Sequence, residues 1–369
     1  MDPKKALEID LLPVERGNHS GDCIALRYGN LEKGGKEQTV IVIDGGYSSN
    51  AEVLKRHLKK YYKCTINGKV HINIVFLSHP DQDHVEGLAK LFEDDEVVVD
   101  NLVTMIPWRV MTPQWFHDGR ITQKSLDKKL EDAFNPLLSL EKLAEKKKVT
   151  IITTTKLSNP CIFNGATMTT LGPELTFYKE CVANSKKTPD KAEHIRSLKE
   201  STFSADNDNE EPYVRGQIKW DDTECTSPIN ESSHIMLFEY EDHKILFCGD
   251  AGKVALKKAI KYAEDNNIDL SNIDIIKMPH HGSRKNVNPT IMDTFAHKGC
   301  RCYISCKDGD EGHHPSKRLV NMLLEKGFSV HTTSGATLHK GWNAPDRGWK
   351  KDSSLTPYAK IEKLCEQSV

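Results

Sequence analysis

"VFLSHPDQDHVEGL" spans residues 75–88 and sets His79, Asp81, Asp83 and His84 close together, straight after an apolar run. A loop made acidic for solubility has no reason to interleave imidazole with carboxylate in this way. A metal site does. Residues i, i+2 and i+4 share one side of an extended segment, and a turn beginning at Pro80 brings the i+5 side chain round to join them. A plain helix cap before an 85–95 helix would account for Asp83 alone and not for the four together.

Outward from this stretch the same theme recurs: an apolar strand, then a polar residue at its end. "QTVIVIDGG" closes on Asp44, "HKILFCGDAG" on Asp250, and "IDIIKMPHHGS" on His280 and His281. Amphipathic helices follow at 51–62, 85–95 and after Asp250, so strands alternate with helices and the chemistry sits at strand ends. Imidazole with carboxylate, and no cysteine, suits Zn²⁺ or Mn²⁺ and leaves coordination open to water. A lone aspartate from a separate strand, Asp250, is placed to bridge two ions.

The bulk numbers narrow the classes. A chain of 369 residues holds one large domain or two ordinary ones, and 37% hydrophobic with 28% charged residues is ordinary globular composition. With 51 basic and 53 acidic residues the net charge is −2, so no global positive field draws the chain to nucleic acid. No 18-residue apolar run exists, and the first residues lack a signal core, so a cytoplasmic protein is expected. The cysteines of "CRCYISC" alternate as buried thiols of a strand.

Two stretches break the alternation. Residues 108–148 read as a charged, solvated helical insertion, and 174–228 as a polar insertion with little core of its own. A tail at 341–369 carries Trp349 among lysines, and Trp342 stands at its start.

The ordered motifs "HPDQDHVEG", "NESS" (Asn230–Ser233), "GDA" (Gly249–Ala251), "PHHGS" (Pro279–Ser283) and "GHHPS" (Gly312–Ser316) resemble the metallo-β-lactamase superfamily. Within it they are most similar to the nuclease-like domain of the bacterial competence DNA-uptake channel protein. The resemblance covers residues ~7–340 outside the two insertions. It implies an α/β (α+β) fold, the αββα four-layer sandwich of two mixed sheets back to back, with metals at one edge.

The same resemblance implies the site. His79 and Asp81 belong to a first metal position, and Asp83 and His84 to a second with His280 or His281. His280 is taken as the ligand. Asp250 bridges, and Asp44 supports from behind. Asp81 and Asn230 stand where the family usually has histidines, which makes the first position harder and favours manganese. The expected cofactors are two divalent ions, Mn²⁺ or Zn²⁺. Water activated near Asp83 and Asp250 would attack a phosphodiester, with His281 and His314 as proton donors and Ser283 and Ser316 as anion contacts. The expected substrate is a phosphodiester, with single- and double-stranded DNA as candidates. By analogy alone, a protein partner in a multi-component bacterial system such as phage defence is a further expectation. The rivals are hydrolysis of a small substrate (a cyclic nucleotide, a phosphocholine-type diester, a lactam or a thioester), a non-catalytic binding module, and a structural metal site.

Overall fold

A computed structural model describes residues 5–14, 16–117, 121–153, 160–198, 220, 222–297, 299–307, 313–349 and 354–356. Its strands in chain order are β1 (Ala6–Leu11), β2 (Cys23–Gly29), β3 (Gln38–Gly45), β4 (Thr65–Ile66), β5 (Lys69–Phe76), β6 (Val97–Val103), β7 (Thr150–Ile152) and β8 (Cys161–Phe163). Then follow β9 (Ala166–Gly172), β10 (Ile235–Tyr240), β11 (His243–Phe247), β12 (Ile275–Lys277), β13 (Arg301–Ile304), β14 (Ser329–Thr332) and β15 (Leu338–Trp342). One sheet runs β15-β1-β2-β3-β5-β6-β7, with β4 on β5; the other runs β14-β13-β12-β11-β10-β9-β8.

Both sheets are mixed, and the parallel part of each decides where the site lies. β3 and β5 pair in parallel, with Ile41 opposite Ile74 and Ile43 opposite Phe76. β11, β12 and β13 are parallel too. Parallel strands end on the same side, so the loops carrying Asp44, His79, Asp250 and His280 emerge at one edge.

Alternation of side chains gives each strand two faces to bury. Leu7, Ile9, Leu26, Ile41, Ile43 and Phe76 of the first sheet meet Met236, Phe238, Phe247 and Tyr303 of the second. The outer faces are covered by helices: Asn50–His57 and Gln82–Glu93 on the first sheet, Lys253–Asp265 and Lys317–Glu325 on the second. The result is four layers, αββα.

The structure departs from the sequence reading in the two insertions and the tail. In helices Gln123–Ala133 and Asn135–Lys146, Leu126, Leu130, Leu137 and Leu140 are fully buried in the first sheet's core. The lysines on their outer faces hid a helical apolar stripe. Within 174–228, helix Leu175–Ala183 buries Phe177, Tyr178, Cys181 and Val182, and Ala192 and Ile195 are buried further on. Residues 199–219 of that stretch lie outside the described residues. The proposed boundary at 341 runs through β15, which pairs with β1, and Trp342 stacks on His243. Trp349 packs edge-on against Tyr61. Both tryptophans are therefore occupied by the domain itself.

Arg347 ties this last segment down. Its Nη2 donates to Glu8 Oε2 at 2.5 Å and its Nη1 to Asp10 Oδ2 at 3.1 Å. Glu8 also accepts from Arg27 Nε at 2.6 Å, and Asp10 faces His57 and His339 at 3.0 and 2.7 Å. Glu8 and Asp10 are fully buried in β1. Removing one partner of such a cluster strands the other charges in low dielectric. We expect Arg347→Ala to lower unfolding free energy by roughly 3–5 kcal/mol. Urea denaturation followed by far-UV circular dichroism checks this, and a loss under about 1 kcal/mol would match an exposed ion pair instead.

Candidate metal centre

The 75–88 stretch is extended through Asp81 and helical from Gln82, three residues earlier than the sequence indicated. Asp81 takes the N-cap backbone position, and its carbonyl accepts from the His84 and Val85 N–H groups. Its carboxylate caps nothing. It is turned instead to His79 Nε2 at 3.7 Å, while Asp83 and His84 project from the first helical turn. Gly87 lets this helix sit hard on the end of β3: a Cβ there would lie 1.9 Å from the Gly45 carbonyl oxygen.

The imidazoles share one orientation. His84 Nδ1 meets Asp44 Oδ2 at 2.8 Å, so Nδ1 carries the proton and Nε2 turns inward. His281 Nδ1 lies 2.9 Å from the Ser305 carbonyl, which can only accept, so its Nε2 also faces the centre, 3.0 Å from Asp83 Oδ2. His79 Nδ1 contacts Ser78 Oγ at 3.1 Å. His280 Nδ1 sits 3.2 Å from Asn286 Oδ1 and 3.3 Å from Asn230 Nδ2. Four Nε2 atoms converge, each imidazole held by its other nitrogen.

Asp250 stands between them. Its Oδ1 is 3.4 Å from His84 Nε2, and its Oδ2 is 3.7 Å from His79 Nε2 and 3.9 Å from His280 Nε2. One donor atom each from Asp83, His84, Asp250 and His281 lies within 4.8 Å of the others. His79, Asp81 and His280 gather on the other side of the same carboxylate. The sequence reading put His280 with Asp83 and His84; the geometry puts His281 there and turns His280 to the His79 side. Both histidines have positive φ (46° and 54°), and this tight turn sends the two rings to different sides. Asn230 offers no donor to the centre. It hydrogen-bonds Thr226 Oγ1 and steadies His280.

Whether a cation fits can be read from buried atoms that lack a hydrogen bond. His79 Nε2, His84 Nε2 and Asp250 Oδ1 are buried without a hydrogen-bond partner. Buried polar atoms seldom stay unpaired, and three aimed at one spot call for an ion. The donor set, imidazole and carboxylate, matches Zn²⁺ or Mn²⁺.

The other expected residues divide. Asp44 holds Ser78 as well as His84, its two oxygens accepting from Ser78 N–H and Oγ at 2.8 and 2.6 Å. The His314 ring centroid is 5.3 Å from that of His280 and 5.9 Å from that of His281, so His314 joins the site. Ser316 caps helix Lys317–Glu325 by accepting from Leu319 N–H. Ser283 accepts from Lys285 N–H within its own turn. Sequence reasoning missed Asp22 and Lys277, which pair with each other below the centre, Asp22 reaching His84 and His281 at 3.7 Å. A lysine inside the apolar strand "IDIIKMP" was the available signal. It also missed Asn286, which donates to the Asp250 carbonyl at 2.7 Å.

Glu231, from "NESS", anchors the helix that follows Asp250. Its carboxylate accepts from Val254 and Ala255 N–H at 3.3 and 2.7 Å. Burial pushes this carboxyl up to about 7, against those two hydrogen bonds, which pull it down. The folded protein therefore keeps a proton that the unfolded chain loses near its ordinary value of 4.5, and stability falls as pH rises between 4.5 and about 7. We expect Glu231→Gln to flatten that decline in a series of denaturation curves; an unchanged slope would refute the assignment.

Charges inside the centre oppose one another. Burial alone would raise the Asp83 carboxyl, but His84 and His281 hold it well below the usual range. Burial likewise disfavours a charged His84, yet Asp250, Asp83 and Asp44 drive its imidazole well up. His281 is raised in the same way against burial, chiefly by Asp83. Without metal both rings hold their protons more tightly than an ordinary imidazole, and a divalent ion must displace those protons. Manganese affinity should accordingly rise as pH climbs above the ordinary imidazole value of 6.5, with protons released to buffer. Calorimetry in buffers of different ionisation enthalpy measures this; pH-independent affinity with no release would contradict it.

No family model and no curated protein matches the sequence. Similar solved structures include the metallo-β-lactamase fold protein YhfI from Bacillus subtilis, at 10% identity and TM-score 0.45, covering 92% of this chain and 100% of that one. Zn²⁺-bound PqqB from Methylobacterium extorquens is similar at 10% identity and TM-score 0.46, over 90% of this chain and 99% of that one. A diphosphatase from the PhnP family is similar at 10% identity and TM-score 0.39, over 91% and 98%. At these identities and TM-scores the likeness assigns the chain neither a family nor an activity. The architecture of this chain, two mixed sheets back to back between helices, is the four-layer arrangement that its motifs implied, and it stands on the chain's own strand pairing and packing.

Proposed function

We propose that the chain is a metal-dependent hydrolase acting on phosphodiesters, with DNA as its substrate class. The observation that carries this reading is the Asp250 carboxylate flanked by inward-turned imidazoles on both sides. A carboxylate so shared suits two divalent ions, which when bound supply Lewis acidity and lower the pKa of water.

The protein's own residues do the rest. Asp83, His84 and His281 would hold one ion, and His79, Asp81 and His280 the other, with Asp250 common to both. Asp44 and the Ser305 carbonyl fix the tautomers of His84 and His281, so both imidazoles keep Nε2 available as a lone-pair donor. His314, beside the two histidines, is placed to give a proton to the leaving oxygen. Buried Lys277, paired with Asp22 and near Asp250 and Asp44, places a cation beneath these aspartates, which offsets part of their repulsion.

The test is activity on bis-p-nitrophenyl phosphate and on single-stranded DNA with added Mn²⁺. Chelator should abolish it. Asp83→Asn and Asp250→Asn should each lower it by about 100-fold or more, at or beyond the upper end of what supporting residues cost. Both variants should keep the fold, because each loses a ligand charge rather than a core contact. If the metal-saturated wild type cleaves neither substrate and both variants bind DNA equally well, a non-catalytic binding module replaces this reading.

A further inference from the structure

Lys187 belongs to none of the motifs, yet its Nζ lies 2.7 Å from Asp81 Oδ1. The other oxygen of that carboxylate, Oδ2, faces His79 Nε2 at 3.7 Å. One carboxylate therefore offers one oxygen to the His79 side of the centre and the other to a lysine.

The backbone that delivers Lys187 is built for the purpose. Lys187 N–H donates to Ser185 Oγ at 3.1 Å, and Thr188 Oγ1 donates to the Val182 carbonyl at 2.7 Å. Downstream, Ala192 N–H donates to the Trp115 carbonyl, and Ala192 and Ile195 are buried in the core. The ammonium has no comparable structural duty. The Lys187 side chain is 51% exposed, and an ion pair that exposed adds little to stability. Its effect falls on Asp81. A cation at that carboxylate draws electron density from the donor that a divalent ion would use, and it repels the ion directly. On the Asp83, His84 and His281 side the nearby lysine, Lys277, is bound to buried Asp22 rather than to a carboxylate of that position.

We propose that Lys187 makes the two metal positions unequal and couples the weaker one to an anionic ligand. The inference rests on the dinuclear reading of the centre and deepens it. While no anion is present, Lys187 holds Asp81 and keeps the His79–Asp81–His280 position weak. A phosphodiester anion arriving at the centre takes the ammonium, frees Asp81 for the ion, and so tightens ion binding. By linkage the ion tightens anion binding by the same factor.

Manganese binding counted by electron paramagnetic resonance tests this, with diethyl phosphate as the anion and no turnover involved. In the wild type we expect one tight and one weak ion, the weak one tightened several-fold by diethyl phosphate. Lys187→Met should bind the second ion about tenfold more tightly without the anion, and diethyl phosphate should no longer change it. Lys187→Arg, which keeps the charge, should behave as the wild type. If ions bind but Lys187→Met leaves the weak position and its anion response unchanged, the inference is wrong and the centre stands. If no protein binds manganese, the dinuclear reading falls, and the inference with it.

Discussion

The centre is arranged around the His84 imidazole. Its ring nitrogens lie within 3.7 Å of four different aspartates, Asp22, Asp44, Asp83 and Asp250, delivered by four separate segments. Three of those carboxylates are almost wholly inaccessible to water. Bringing like charges together in a low dielectric is costly unless cations are interleaved. Lys277 supplies one such cation from below. The remainder of the balance is what the inward-turned Nε2 atoms are arranged to receive. The parallel strands, the tight approach of Gly87 to β3 and the left-handed turn at His280–His281 all serve to hold this charge cluster at one edge.

Much of this was legible in the sequence, because its signals are local. A strand that ends in "LSHPDQDH" announces strand, loop and helix in ten or so residues, and the same grammar marks Asp44, Asp250 and His280. Charge alternating with imidazole is an unusual pattern that few structural needs produce. The four-layer arrangement was implied by the resemblance that those motifs carry in their order.

What escaped the sequence is non-local or outvoted. Asp22 and Lys277 are 255 positions apart, and neither has meaning without the other. Lys187 sits in a stretch whose mean polarity masks Phe177 and Cys181 on the preceding helix. The ten charged residues of 124–146 outnumber its six leucines, so an average reports solvation where the helically spaced stripe reports a core. The division of labour between His280 and His281 depends on two positive φ angles in succession, which no side-chain pattern specifies.

The seating of Arg347 against Glu8 and Asp10 has a consequence for how the molecule comes into being. Arg347 follows Glu8 by 339 positions and Asp10 by 337, so the two buried carboxylates of β1 wait for their guanidinium, and its outer edge for β15, while all the chain between is made. Until then the opening strand is an unfinished edge carrying charges that resist burial. Synthesis thus runs ahead of closure, and the first sheet is sealed by the last part of the chain to pair with it.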